Sequence, residues 1–293
     1  MPSTFSVWIS AARPKTLWTA VAPVLMASAM AWHDGLFHPL AAATALFTAM
    51  LLQIATNFCN DYADFMKGTD QSDRQGPVRA TAAGLVAPAT MMRASVVTFV
   101  LAALASSYLV MRGGWPLAVL MALSIAAGAL YTAGPKPLGY LGLGEIFVFI
   151  FFGPVAVAGT YYVQTLQFST TALFAGISPG LLAVAVLVVN NLRDIEGDAR
   201  TGKRTLAVRF GRTFSRVEYT LCILIAGLLP FTLVGQFGAP PNIVVAGFVV
   251  MASATALRTI WTTVNPASLN RLLAYTALLL LLYAVLFSVG YVM

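Results

Sequence analysis

Residues 39–64 read PLAAATALFTAMLLQIATNFCNDYAD, twenty-two positions without a charge followed by two aspartates in the last four. At 1.5 Å per residue a helix of that length crosses a hydrocarbon layer about 30 Å thick. Near its end the polar residues Gln53, Asn57, Asp61 and Asp64 recur at steps of four, four and three. Such steps keep side chains on one face, so the segment predicts a membrane helix with a polar stripe. Ionised carboxylates near lipid are costly, so the stripe is expected to face the bundle interior and to have a partner there.

The rest of the chain has the same character. Of 293 residues, 59% are hydrophobic and 9% charged, against about 25% charged in an ordinary soluble domain. A soluble enzyme, a disordered chain and a disulfide-built secreted domain are excluded by that balance. Cys59 and Cys222 match no metal-ligand spacing and read as buried thiols. No cleavable signal peptide is expected, because the first apolar run follows Arg13-Pro14-Lys15 and leads directly into further spans.

Charges and Gly, Pro or polar breaks divide the chain into nine apolar intervals: 16–32, 39–60, 94–111, 114–133, two within 146–192 separated at 164–171, two within 219–257 separated at 235–241, and 272–293. The expected fold is therefore all-α, a polytopic bundle of nine transmembrane helices forming one domain over residues 1–293. Threading nine spans puts sixteen of the seventeen Lys and Arg residues on one side and only Arg112 on the other. By the positive-inside rule the N-terminus is cytoplasmic and the C-terminus outside. The same asymmetry accounts for the net charge of +7 without nucleic acid. His33 and His38 fall on the outer side and receive no role.

The ten acids are unevenly placed. Asp61, Asp64, Asp70 and Asp73 close the second interval, and Asp194, Glu196 and Asp198 close the sixth. Both intervals run inward, so both clusters meet the cytoplasmic face. Asn190, Asp194 and Asp198 form a second stripe at steps of four. Neither stripe contains a matching cation, and an all-oxygen donor set favours a hard divalent metal. Asp61, Asp64, Asp194 and Asp198 are the expected ligands, with Asn60, Asp70 and Asn190 as further donors. Lys67, Arg74, Arg79, Lys136, Arg193 and Lys203 stand beside them as expected diphosphate-binding residues. Acids alternating with bases at the mouth of an apolar bundle suit a metal and diphosphate site whose substrate has an apolar remainder.

These motifs resemble those of the UbiA-type intramembrane prenyltransferases. Asn60-Asp61-Tyr62-Ala63-Asp64 and Asp194-Ile195-Glu196-Gly197-Asp198 are similar to that family's two aspartate-rich motifs. The branch acting on 1,4-dihydroxy-2-naphthoate is the nearer match. It is carried by Arg13-Pro14-Lys15-Thr16-Leu17, Gly68-Thr69-Asp70, Asp73-Arg74, Gly76-Pro77-Val78-Arg79, Tyr131-Thr132, residues 139–145, Asn190-Asn191-Leu192-Arg193-Asp194, Gly202-Lys203 and Thr205-Leu206. In place of an acid four residues after Asp64 stands Gly68, with Asp70 two further on.

The resemblance implies a multi-pass enzyme of the bacterial cytoplasmic (inner) membrane, working toward the cytoplasm. It would join a polyprenyl diphosphate to dihydroxynaphthoate with loss of CO2 in menaquinone synthesis. It implies Mg2+, in two ions bridging the diphosphate, and no obligate protein partner. The catalytic set it implies is Asp61, Asp64, Asp194, Asp198, Lys136 and Tyr131. Tyr62 and Tyr131 are candidates to stabilise the carbocation. Arg13, Lys15, Asn57 and Tyr62 are candidates for the acceptor, and Arg13, Lys15 and Lys136 remain alternatives for holding its carboxylate.

Other acceptors or donors fit the same motifs, among them 4-hydroxybenzoate, homogentisate and phytyl diphosphate. An alcohol phosphotransferase packs its acids into one contiguous motif, whereas about 130 residues separate the two pairs here. A transporter of anionic or isoprenoid cargo is a reading from outside the enzymes. The acidic stripes do occupy corresponding second positions in spans one to four and five to eight, as an internal repeat would place them.

Overall fold

Proline and small polar caps set where most of the long helices begin. Pro14, Pro39, Pro88, Pro154 and Pro266 each open a helix, where the missing N–H costs nothing and the fixed φ is already helical. His38, Thr205 and Asn265 stand one residue before a helix and accept from its first free amides. The structure is a computed structural model that describes residues 3–69 and 79–293; Asp70, Asp73 and Arg74 lie outside the described residues.

In chain order the helices are α1 (Thr4–Ala12), α2 (Pro14–His33), α3 (Pro39–Met66), α4 (Pro88–Gly113), α5 (Trp115–Leu130), α6 (Gly144–Phe152), α7 (Pro154–Thr165), α8 (Thr170–Ala175), α9 (Ile177–Arg200), α10 (Leu206–Phe237), α11 (Val249–Ala252), α12 (Ala254–Thr262) and α13 (Pro266–Val292). Two 3-10 segments, Leu138–Leu141 and Pro241–Phe248, join them. The fold is all-helical among the described residues, as the composition predicts.

Among the described residues seven helical stretches are long and apolar enough to cross a membrane: Pro39–Met66, Pro88–Gly113, Gly144–Thr165, Thr170–Arg200, Leu206–Phe237, Pro241–Thr262 and Pro266–Val292. The first and fourth intervals read from the sequence fall short of that standard. Trp115–Leu130 has only 16 residues, about 24 Å of helix. In α2 ten of its twenty residues are buried. A helix enclosed by others does not need apolar residues all round, which explains its weaker apolar signal.

Three features escape the interval reading. The N-terminal helix α1 packs Val7 and Ala11 against Phe58, Ala80 and Met91, with Trp8 edge-on to Phe58 at 5.4 Å. The fifth interval is not one helix but two, broken between α6 and α7 at Gly153. There it meets the break between α8 and α9 so closely that a Cβ on Gly153 would stand 2.6 Å from the Gly176 carbonyl oxygen. Finally, α10 bends at Gly211, whose φ of 83° favours glycine.

Helix α9 is the axis of the bundle, lying against α6, α10 and α13. Its spanning window is 72% buried, against 22% for α3 and for α4. The main core gathers Leu182, Val188 and Leu192 of α9 with Met26 and Met30 of α2, Ile223 of α10 and Leu280 and Phe287 of α13. Arg112, the lone base assigned to the outer side, donates to the Val163 and Gln164 carbonyls at the end of α7, where a helix end favours a cation.

Candidate functional site

A cavity of about 260 Å³ opens between α2, α3, α5, α6 and α9. One end is polar, with Asn60, Asp64, Arg79, Tyr140, Asn190 and Lys203 on its wall. The other is apolar, with Leu52, Val148, Phe151, Phe152, Val186 and Leu187. Of the acids at the two helix ends Asp64 is on this wall, while α9 contributes Asn190 and Asn191 and its Asp194 and Asp198 are not on it.

The α3 end is tightly held. Asp64 accepts from Arg79 Nη2 at 3.0 Å and from the Tyr140 hydroxyl at 2.9 Å, and both partners of the ion pair are buried. Thr69 bonds the same hydroxyl at 3.1 Å. Thr132 donates to Asn60 Oδ1, and Lys67 Nζ donates to the Thr132 and Gly134 carbonyls. The end of α5 is therefore pinned to the end of α3. A carboxylate oxygen has two lone pairs, so Asp64 retains acceptor capacity beyond its two protein partners.

Asp61 departs from the stripe the sequence predicts. Its two oxygens accept from the Ala80 and Thr81 amides at 3.1 and 3.0 Å, and it does not line the cavity. The wall runs instead through Gln53, Asn57, Asn60 and Asp64. Steps of three and four both stay on one helix face, so spacing alone does not choose between Asn60 and Asp61. The two backbone amides draw Asp61 aside, and in doing so they set Arg79, the residue before them, against Asp64.

The α9 end is organised by cations. Arg193 forks onto Asp194 at 2.8 and 2.5 Å and also donates to Asn190 and Asn270. Its guanidinium is buried in that network rather than open to the cavity. Lys203 Nζ stands 3.5 Å from Asp198 Oδ1, while Asp198 Oδ2 is buried with no hydrogen-bond partner among the described residues. Lys67 and Lys203 both stand over the Tyr140 ring, at 4.6 and 5.5 Å. Two ammonium groups converging on one ring suit a strongly anionic ligand between them. Burial pulls the Lys67 ammonium below its ordinary range. Burial and the neighbouring Asp64 hold the Tyr140 phenol well above its ordinary range, so it stays a donor.

Other expected residues are dispersed. Arg13, Asn57 and Tyr131 line the cavity, with Asn57 donating to the Ala12 carbonyl at 2.9 Å. Lys15 and Lys136 are exposed and off its wall, and Tyr62 packs in the α1 cluster. Asp70 and Arg74 lie outside the described residues. Tyr140, Glu145 and Asn191, part of the motifs that carry the resemblance but given no role there, also line the cavity. A legible signal existed for Glu145, which is the only charged residue between Lys136 and Arg193. Gly139 and Gly144 leave room for Tyr131: a Cβ on either would come within 3.2 Å of its ring or hydroxyl.

The donor set is compatible with magnesium, but only together with a ligand. Among the described residues no three His, Cys, Asp or Glu side chains are placed to hold a metal by themselves. Mg2+ ordinarily binds through one or two carboxylates and takes other oxygens from phosphate and water. The unmatched Asp198 oxygen and the remaining lone pairs of Asp64 fit that mode.

The UbiA prenyltransferase family model matches residues 20–279. The chain is 42% identical to the 1,4-dihydroxy-2-naphthoate octaprenyltransferase of Escherichia coli, over 78% of this chain and 76% of that one. It is 36% identical to the enzyme of the same name from Haemophilus influenzae, over 97% and 95%. In fold it is similar to a UbiA homolog from Archaeoglobus fulgidus solved with GPP and Mg2+ (TM-score 0.65, 13% identity, 96% and 99% covered).

Proposed function

From the premise that the chain belongs to the UbiA prenyltransferase family, we propose that it transfers a polyprenyl group from its diphosphate to 1,4-dihydroxy-2-naphthoate. The observation that carries this reading is the cavity where Asp64 of α3, Asn190 of α9, Lys203 and Tyr140 adjoin apolar side chains, with Lys67 and Lys203 both over the Tyr140 ring. The near full-length similarity to naphthoate octaprenyltransferases supports the acceptor.

In this reading Asn60 and Asp64 on α3 and Asn190, Asp194 and Asp198 on α9 would hold Mg2+, in two ions. The metal would neutralise charge developing on the departing diphosphate. Lys67 and Lys203 bind the diphosphate from either motif, as would Arg74. Arg79 neutralises Asp64 in part and, with Tyr140, fixes its carboxylate. Asp61 acts at one remove by holding the segment that carries Arg79. The allylic C–O bond breaks, the electron-rich ring forms the new C–C bond, and the acceptor carboxylate leaves as CO2. Tyr131 and the Phe147–Phe151 pair, stacked at 6.1 Å, line a water-poor chamber for the cationic carbon. The same reading takes α2 and α5 with the seven apolar stretches as nine membrane helices and the N-terminus as cytoplasmic, which would set the chamber at the inner face of a bacterial cytoplasmic membrane.

Membranes containing the protein should convert carboxyl-labelled dihydroxynaphthoate and a polyprenyl diphosphate to demethylmenaquinol and labelled CO2. Activity is expected with Mg2+ and lost in EDTA. Preference for 4-hydroxybenzoate or homogentisate would overturn the acceptor assignment.

A further inference from the structure

A carboxylate with no place in the diphosphate site lies in the same cavity. Glu145 sits in the first turn of α6, 6% exposed, in a stretch of more than fifty otherwise uncharged residues. An acid in such a segment is costly and is retained where it has work in the interior. Asn191 Nδ2 donates to its Oε1 at 2.9 Å, and this is the one side-chain hydrogen bond to Glu145 among the described residues. A backbone hydrogen bond at Glu145 itself adds to this one, and with two lone pairs on each oxygen the carboxylate keeps further acceptor capacity in the cavity that Glu145 lines.

Its position defines what it meets. The same helix supplies Val148 and Phe151 to the apolar wall, and Lys203 and Asn190 belong to the polar end. Glu145 therefore marks the junction of the two ends, where the reacting ring must lie if the diphosphate is at the polar end and the prenyl chain at the apolar one. The Tyr131 hydroxyl, 2.8 Å from where a Cβ on Gly144 would be, adjoins the same corner. A carboxylate there repels the carboxylate of an aromatic acid and attracts its hydroxyl.

We propose that Glu145, oriented by Asn191, accepts a hydrogen bond from a ring hydroxyl of the aromatic acceptor and so selects hydroxylated rings and fixes which ring edge faces the prenyl donor. This rests on the aromatic prenyl transfer proposed above. Hydrogen bonding to a carboxylate also raises electron density on the ring carbons, which favours attack on a cationic carbon.

The test compares wild type with Glu145→Gln, which keeps an oxygen for Asn191 but loses the charge. Steady-state kinetics would use 1,4-dihydroxy-2-naphthoate and its two monomethyl ethers at saturating donor. For Glu145→Gln, kcat/KM for the acceptor should fall about tenfold to a hundredfold, the worth of one charge-assisted hydrogen bond. The donor KM should change less than about twofold, and the wild-type preference for hydroxyl over methoxyl at one ring position should shrink toward unity. Equal acceptor kinetics and undiminished discrimination in Glu145→Gln would overturn the proposal. If that variant does not fold, Glu145→Asp should show the same selective loss; misfolding of both assigns the residue to folding and equally overturns it. A wild type that ignores naphthoate but prenylates another hydroxylated aromatic would defeat the acceptor assignment alone, and the Glu145 comparison would then be made with that compound and its methyl ether.

Discussion

The ends of α3 and α9 carry similar sequences, Asn60-Asp61-Tyr62-Ala63-Asp64 and Asp194-Ile195-Glu196-Gly197-Asp198, yet they are stabilised in different ways. At α3 the partners come from elsewhere in the chain: the Ala80 and Thr81 amides, the Tyr140 hydroxyl and Arg79. At α9 the partners among the described residues include the helix's own Arg193 and, in the turn after it, Lys203. The first end is thus fixed by tertiary structure, and its two acids divide into one facing the cavity and one facing a loop. Among the described residues the second is neutralised from nearby in the chain, with Asp198 Oδ2 unmatched. Equal motifs therefore do not imply equal ligands, and the separation of roles within the first motif is the feature most open to test.

The largest effect is expected at Asp64. Asp64→Ala should lower prenyl transfer by about 10²–10³-fold or more, as for loss of a principal group at a site of developing charge, measured by product formation at saturating Mg2+. Asp198→Asn should come next, about 10²-fold, with higher Mg2+ restoring part of the rate because the variant keeps one oxygen. If Asp64→Ala and Asp198→Asn were both near wild type, neither helix end would serve the chemistry.

Asp61→Asn separates the two acids of the first motif. An amide offers one acceptor oxygen where two amides need two, so the expected cost is about 1–3 kcal/mol of stability, read as a lower unfolding temperature in detergent. Its activity loss should be smaller than that of Asp64→Ala and should lessen on cooling. A loss equal to that of Asp64→Ala with unchanged stability would make Asp61 a ligand. Tyr140→Phe should have the smallest effect, about tenfold in rate, since it removes the hydroxyl bonded to Asp64 but leaves the ring beneath the two lysines.

The sequence shows some of this plainly. Charge scarcity reveals the membrane class, and the breaks between intervals fall close to most of the helix ends. The acid stripes point to the two helix ends that meet. What spacing does not reveal is which neighbour competes for a side chain. Asn60 and Asp61 are equally placed on the α3 face, and only the folded position of residues 80 and 81 draws Asp61 from it. Arg193 reads as a phosphate ligand because its network with Asp194, Asn190 and Asn270 joins α9 to α13 across 77 positions of sequence. Gly153 has the composition of a span interior, and its break is legible only when the facing Gly176 and Gly180 are known. Glu145 was visible as a lone charge, but its meaning depends on the cavity that α3, α5 and α9 complete around it.

The two helix ends are expected to take up metal together with the diphosphate and not alone. Mn2+ binding, followed by electron paramagnetic resonance on the detergent-solubilised protein with and without a non-reactive prenyl thiodiphosphate, tests it most directly. The expected result is weak binding without the analogue, strong binding with it, and loss of the analogue-dependent signal in both Asp64→Ala and Asp198→Asn. Tight Mn2+ binding without the analogue, or analogue-dependent binding that survives both substitutions, would contradict the account.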